Sequence, residues 1–221
     1  MAIEEGKSGL GLKLQVEASE IIDNYTILAR LGVSRYKFWS DKLGGEEELL
    51  ERIQIVGIGN KNKEEFMAEL IDNEISVSDL ARRMIAKLKI DKKQKVESVI
   101  TIRLTAKELG FNEAFEVSDL VVEAAKYHLG HCPPETALYL RLNDRNQTKD
   151  DSYNIWMRPI VTDSWRSCIF NVGRHLYAKY KLSLDANGAN NNMLFKPYMD
   201  FVFRFPGKNQ RPENFWKSPF E

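Results

Sequence analysis

The stretch 163–182, DSWRSCIFNVGRHLYAKYKL, sets bases among aromatics at intervals that a helix would align. At about 100° per residue, Arg166, Phe170, Arg174, Tyr177 and Lys181 fall along one stripe of such a helix. Trp165, Ile169, Val172, Leu176 and Tyr180 fall on another, an ordinary core stripe. Guanidinium and ammonium groups hold phosphates and rings stack on bases, so the first stripe has the chemistry of a single-stranded nucleic-acid surface. A plainer use of the same residues is packing, with Phe170 and Tyr177 in the domain and the bases reaching past them to water.

Composition points the same way. The chain of 221 residues has no formal net charge, yet residues 1–125 hold 18 bases and 23 acids, and residues 126–221 hold 14 and 9. The second part also contains 16 of the 23 aromatics. Base–aromatic mixtures recur there in NIWMRPI, LFKPYMDFVFRFPGK and ENFWKSPF. A monomeric DNA binder is commonly basic throughout. A subunit that coats nucleic acid as a polymer does better near neutrality, because strongly charged neighbours repel.

Two other chemistries have candidate residues. Residues 25–39, YTILARLGVSRYKFW, resemble the centre of a helix-turn-helix, with Gly32 at the corner and Arg35, Tyr36 and Lys37 aimed at a DNA groove. A helix–glycine–helix corner is equally a packing device. His128, His131, Cys132, Cys168 and His175 lie within one span, and His128 and His131 would share a helical face, a conceivable zinc site with irregular ligand spacing. Asp144, Lys149, Asp150 and Asp151 would serve a metal-dependent nuclease, though on a polar loop rather than a rigid element. There is no P-loop and no dinucleotide fingerprint, and no cofactor is expected.

The elements that would carry these groups read as helices for the most part. Apolar residues three and four apart mark EEELLERIQIVG, KEEFMAELIDN and SVSDLARRMIAKLKI. SRYKFWSDKL runs from Ser34 to a stop at Gly44-Gly45, and SDLVVEAAKYHLG from an N-cap Ser118 to Gly130. KVESVITIRL is ambiguous, its β-branched residues allowing a strand as well as a helix, Thr105 and Glu108 form a capping box, and MLFKPYMDFVFRF fits helix or strand. NDRNQTKDDSYN (143–154) and DANGANNN (185–192) read as loops. The expected architecture is mainly α: a polar arm over 1–15, an irregular helical domain over 16–205 with an optional division near 110–117, and an extended arm over 206–221. The alternative is α+β with a small sheet.

RPIVTDSWRSCIFNVGRHLYAKY, followed by YMDFVF, is similar to the C-terminal core of coat proteins from flexible filamentous plant viruses. The similarity covers about 50 residues and lies in an aromatic–arginine helix start followed, some tens of residues later, by an Asp-Phe pair. It implies a buried Arg166–Asp200 ion pair shaping an RNA-binding region, a mainly helical subunit, terminal arms that engage neighbours, and no enzymatic activity.

The expectation is therefore a non-catalytic, self-associating nucleic-acid-binding protein, coat- or nucleocapsid-like, preferring single-stranded RNA to duplex DNA. Arg166, Phe170, Arg174, Tyr177 and Lys181 are its expected site, with Arg35 and Lys37 for the DNA-binding alternative. The acidic start MAIEEGKSGLGLK lacks the pattern of a signal peptide, and no apolar run nears the roughly 20 residues of a bilayer span. With two cysteines and no disulfide scaffold, an intracellular setting, or a virion, is expected.

Overall fold

The computed structural model describes residues 32–92, 96–162, 166–174, 181–190 and 193–205. The chain divides into two compact units, 1–50 and 51–221. In the first, helix α1 (Val33–Leu43) follows Gly32 and ends at Gly44, whose φ of 100° suits glycine and whose N–H donates to the Ser40 carbonyl. Trp39 is buried, with the Phe38 ring against it edge-on at 5.4 Å. The expected stop at Gly44-Gly45 is where this helix stops. The expected first helix of the helix-turn-helix lies outside the described residues, as do both terminal arms.

Helix α2 (Glu46–Arg52) runs directly into strand β1 (Ile53–Ile58). The helical reading of EEELLERIQIVG thus holds only as far as Arg52. Ile53, Ile55 and Val56 are β-branched, and β1 pairs along its whole length with β3 (Glu97–Thr105). Between them come α3 (Lys63–Asp72), β2 (Ser76–Val77) and α4 (Asp79–Lys87). Asn62 and Glu65 form a reciprocal capping box on α3, and the Ser78 hydroxyl accepts from the Ala81 N–H to cap α4. After β3, the box between Thr105 and Glu108 starts a single turn at Lys107–Leu109. Then follow β4 (Phe115–Glu116), α5 (Val117–Lys126) and α6 (Thr136–Asn143), with Glu116 in place of Ser118 as N-cap of α5.

The remaining elements are all strands: β5 (Ser152–Ile155), β6 (Ile160–Val161), β7 (Ser167–Arg174), β8 (Leu182–Gly188), β9 (Leu194–Phe195) and β10 (Asp200–Arg204). Among the described residues, β1, β2, β3, β5, β6, β7, β8 and β10 build an eight-stranded mixed sheet in the order β1-β3-β10-β5-β7-β8-β2, with β6 also on β7, and β4 and β9 form a separate pair. Strands β10 and β5 run parallel, as do β2 and β8; the other ladders are antiparallel. The fold is therefore mixed α/β, and the expected mainly α architecture is wrong. A small sheet, the stated alternative, also understates it.

The largest departure from the expected helices is in the stretch 163–182. Residues 167–174 form β7 and 182–188 form β8, while 163–165 and 175–180 lie outside the described residues. Six consecutive residues of β7, Cys168–Gly173, are buried, so the strand shows no inside–outside alternation, and its apolar run satisfied the helical period by coincidence. The loop expected at DANGANNN is likewise strand as far as Gly188. Among the described residues, the aromatics of the second part are largely core: Trp156, Phe201 and Phe203 pack together with centroids 6.2–6.4 Å apart, and Phe195 meets Phe201 edge-on at 5.2 Å. Among the described residues, no helix is long and apolar enough to cross a membrane.

Candidate ligand cavity

Strand pairing brings polar side chains from distant parts of the chain into one row. Asn154 on β5 lies opposite Asn171 on β7, which lies opposite Asp185 on β8. Directly opposed residues point to the same face of a sheet, so the three stand side by side. Asn187, two residues past Asp185, joins them: its Nδ2 donates to the Asn154 Oδ1 at 2.7 Å, and the Asn171 Nδ2 donates to the same oxygen at 3.2 Å. The Asn154 Nδ2 donates in turn to the Asp200 carbonyl on β10, at 3.3 Å. Asn154 is 2% exposed and Asn171 4%. Buried amides are costly unless hydrogen-bonded, and this network is what holds them.

The row floors an open cavity of about 500 Å³. Asp150, Asp151 and Ser152 enter it from the start of β5, Asp200 from the start of β10, and Tyr198 and Met199 from the turn before β10. Arg103 on β3 ties two of the carboxylates together. Its Nε donates to the Asp200 Oδ2 at 2.7 Å, its Nη1 donates to the Asp151 Oδ2 at 3.0 Å, and its Nη2 reaches both. The guanidinium also lies 4.7 Å from the centroid of the Tyr153 ring. Burial raises the Asp151 carboxyl, but hydrogen bonds and charge from Arg103 outweigh it and leave the group below the usual carboxylate range. Burial pulls the Arg103 guanidinium down, and the two aspartates more than reverse this.

Beneath the acidic rim a second arginine braces the loop. Arg141, fully buried on α6, donates from Nη1 to the Gln147 Oε1 at 2.5 Å and to the Gly173 carbonyl at 3.0 Å, and from Nη2 to the Asp144 carbonyl. Burial lowers its pKa. Main-chain bonds between Arg174 and the Asp150–Asp151 pair, both at 3.0 Å, fasten the loop to the end of β7. Asp150 takes a positive φ of 62° there.

The expected site residues are dispersed. Phe170 is fully buried and so is not placed to stack on a base. Arg166 is exposed just before β7, Arg174 ends that strand with its Nη1 donating to the Gln147 carbonyl at 3.0 Å, and Lys181 is exposed, its Nζ 3.4 Å from a Glu74 carboxylate oxygen. Tyr177 lies outside the described residues. Arg35 and Lys37 are on α1, in the first unit. The ion pair implied for Arg166 and Asp200 is instead made to Asp200 by Arg103.

His128 is exposed beyond the end of α5, whereas His131 and Cys132 are buried, so the two histidines do not share a helical face. His131 stacks on Trp156 at 5.2 Å, and burial pushes the Cys132 thiol well up, with Arg204 pulling it down less. Cys168 is raised by burial too, against a smaller pull from Arg166, and His175 lies outside the described residues. Among the described residues, no group of three or more His, Cys, Asp or Glu side chains is arranged to hold a metal ion. Of the acidic loop, Asp144 accepts from the Tyr153 hydroxyl at 3.2 Å and Lys149 is exposed, while Asp150 and Asp151 line the cavity. That polar loop supplies part of the cavity lining.

Sequence reasoning missed Arg103, Asn154, Asn171, Asp185 and Asn187. The available signal was a polar residue inside a β-branched or apolar run, as in ITIRLT, SYNIW and CIFNVG. Comparison with protein-family models, curated proteins and solved structures finds no match to the chain.

Proposed function

We propose that the chain is a non-catalytic binding protein whose cavity holds a small polar organic molecule. The observation that carries this is the floor of the cavity. Two nearly fully buried amides, Asn154 and Asn171, are aligned with Asp185 beneath an open volume of about 500 Å³. That volume is within the range of small-molecule sites, and a few convergent polar groups on a rigid sheet are what fixes a ligand's orientation. Binding rather than catalysis is supported by the state of the carboxylates: Arg103 engages Asp151 and Asp200, and no His or Cys is among the described lining residues.

Saturation-transfer NMR with a set of water-soluble amines, polyols and carboxylic acids tests this reading, using the wild type and Asn187→Trp, which fills the cavity. Binding by at least one compound to the wild type alone supports it. Binding by none, or equally to both proteins, overturns it.

A second reading, a self-associating nucleic-acid-binding protein, is favoured by one surface. On α1, Lys37 and Lys42 are exposed beside Phe38, itself 47% exposed. Bases next to an accessible ring suit a nucleic-acid strand. Labelled single-stranded RNA and duplex DNA at two salt concentrations, with light scattering, test it. Salt-dependent binding lost in Arg35→Glu/Lys37→Glu supports it, and the strand preferred separates the RNA-coating form from the DNA-regulator form. A strict monomer with no salt-dependent binding overturns it.

A further inference from the structure

We infer that strand β1 is an interface, onto which a second copy of this chain adds its own β1, antiparallel, to make one sheet continuous across the pair. The phase of the hydrogen bonds is the first reason. β1 ends the sheet, with β3 as its one neighbour among the described residues. On β3, the Ile100 carbonyl accepts from the Phe205 N–H at 2.8 Å, so the main chain of Ile100 faces β10. Successive residues of a strand turn these groups to opposite sides, so Val99 and Thr101 face β1, where they stand opposite Val56 and Gln54. The Thr101 hydroxyl, donating to the Gln54 carbonyl at 3.1 Å, agrees with that phase. Gln54 and Val56 therefore turn their main-chain groups inward to β3, and Ile55 and Gly57 turn theirs outward. Among the described residues, nothing bonds to the outward N–H and C=O of those two.

The residues of the strand are the second reason. Edge strands are usually blunted by a charge, a proline or a bulge. IQIVGI has no charge and no proline, and it pairs with β3 residue for residue without a bulge. Apolar surface accompanies the open edge. Ile55 is half-buried, and Val96, 46% exposed, lies over Gly57 with its Cγ1 3.1 Å from where a Cβ would stand. The edge is also held in place: the Tyr139 hydroxyl on α6 accepts from the Gly59 and Asn60 N–H groups at 3.0 and 3.1 Å, fixing the turn that follows β1. A strand already ordered loses little freedom on pairing.

Symmetry and charge identify the occupant. A two-fold axis perpendicular to the sheet at Ile55 sets Ile55 opposite its own copy and Ile53 opposite Gly57. Outward-facing residues then meet outward-facing residues, and the two sheets keep the same face. The two Ile55 side chains form a β-branched cross-strand pair, and no like charges are opposed within the ladder. The flanks favour the antiparallel sense. Residues 48–52, before the strand, hold two acids and one base, and residues 59–63, after it, hold two bases and no acid. Antiparallel pairing brings these unlike ends together, whereas parallel pairing would bring like ends together.

Size-exclusion chromatography of the full chain with light scattering, over a concentration series, tests the inference. The wild type is expected at twice the 25.5 kDa of one chain, falling towards a single chain on dilution. Ile55→Lys and Ile55→Glu, which set like charges face to face across the axis, are each expected at the mass of one chain with wild-type circular dichroism. An equal mixture of the two is expected to regain the doubled mass, which a folding defect would not allow. Hydrogen exchange on the wild type needs no variant and decides alone if either variant's dichroism departs from the wild type. The Ile55 and Gly57 amides are expected to exchange roughly tenfold or more slowly in the concentrated sample than in the dilute one. A wild type at the mass of one chain throughout overturns the inference and leaves the edge to a strand of another protein. Folded variants that stay doubled, or a mixture of them that stays single, also overturn it. A doubled wild type whose Ile55 and Gly57 amides exchange at the same rate in both samples assigns self-association to another surface and overturns it as well.

Discussion

Arg103 and Asp200, 97 residues apart in the chain, are joined by a guanidinium–carboxylate bond of 2.7 Å from Nε to Oδ2. Their strands are adjacent and antiparallel, with Asp200 opposite Thr105 and Val202 opposite Arg103. Through Asp151, the same guanidinium also fastens the loop that leads into β5. One side chain therefore fixes three segments around the mouth of the cavity, and its loss exposes how far the site depends on it.

Arg103→Met should lower unfolding free energy at neutral pH by about 2 kcal/mol, a partly solvated ion-pair triad being worth less than a fully buried one. Asp151 has a folded-state pKa below its unfolded value of about 4, so its contribution is present above that pH and is lost as pH falls through the folded value. Urea unfolding at pH 7 and pH 3 should show the gap between the two proteins narrowing in acid. An equal gap at both values contradicts the assignment.

Arg141 acts by a different route. Replacing it by Ala leaves the buried Gly173 carbonyl and the partly buried Asp144 carbonyl without their donor and opens a cavity, at a cost of about 4 kcal/mol. Arg141→Met retains most of the volume and should cost roughly half as much. Equal losses in the two variants, read by chemical denaturation, would assign the whole cost to the lost hydrogen bonds and contradict a cavity contribution.

Phe170 separates a core residue from a surface one. It is fully buried on β7, so Phe170→Ala should cost about 4 kcal/mol and Phe170→Leu about 1 kcal/mol in the same measurement. A base-stacking phenylalanine would be removed with little effect on stability. A loss under about 1 kcal/mol for the alanine variant contradicts its placement.

Gly44 offers a backbone test free of packing. Its φ is 100° and an added Cβ would meet nothing within 4 Å. Gly44→Ala should therefore cost about 1 kcal/mol through conformation alone. No change in thermal midpoint would mean that α1 does not end in that geometry.

What the sequence made legible was local. The Thr105–Glu108 box, the stop at Gly44 and the helical periods of α3 and α4 each depend on residues a few places apart, and each is present. The site was not legible in this way, because its parts meet only through strand register: Asn154 finds Asn171 and Asn187 across 17 and 33 residues, and Arg103 finds Asp151 across 48. Burial of β7 on both faces hid its period, and that one misreading turned Asn171 into a helix residue and Phe170 into a surface one. Asp185 was hidden in turn by the Asn- and Gly-rich composition around it, which signals a loop even where β8 pairs residue for residue with β7.

The most direct test of the cavity as a binding site is the ¹H–¹⁵N spectrum of the asparagine side-chain amides during titration with the compound that gives the strongest saturation-transfer signal. The account predicts saturable shifts of the Asn171 and Asn187 amides and of the Asp185 main chain, with Asn60 and Asn62, at the start of α3, unmoved. Unmoved Asn171 and Asn187 signals at saturating concentrations of that compound, or equal small shifts at all these positions, contradict it.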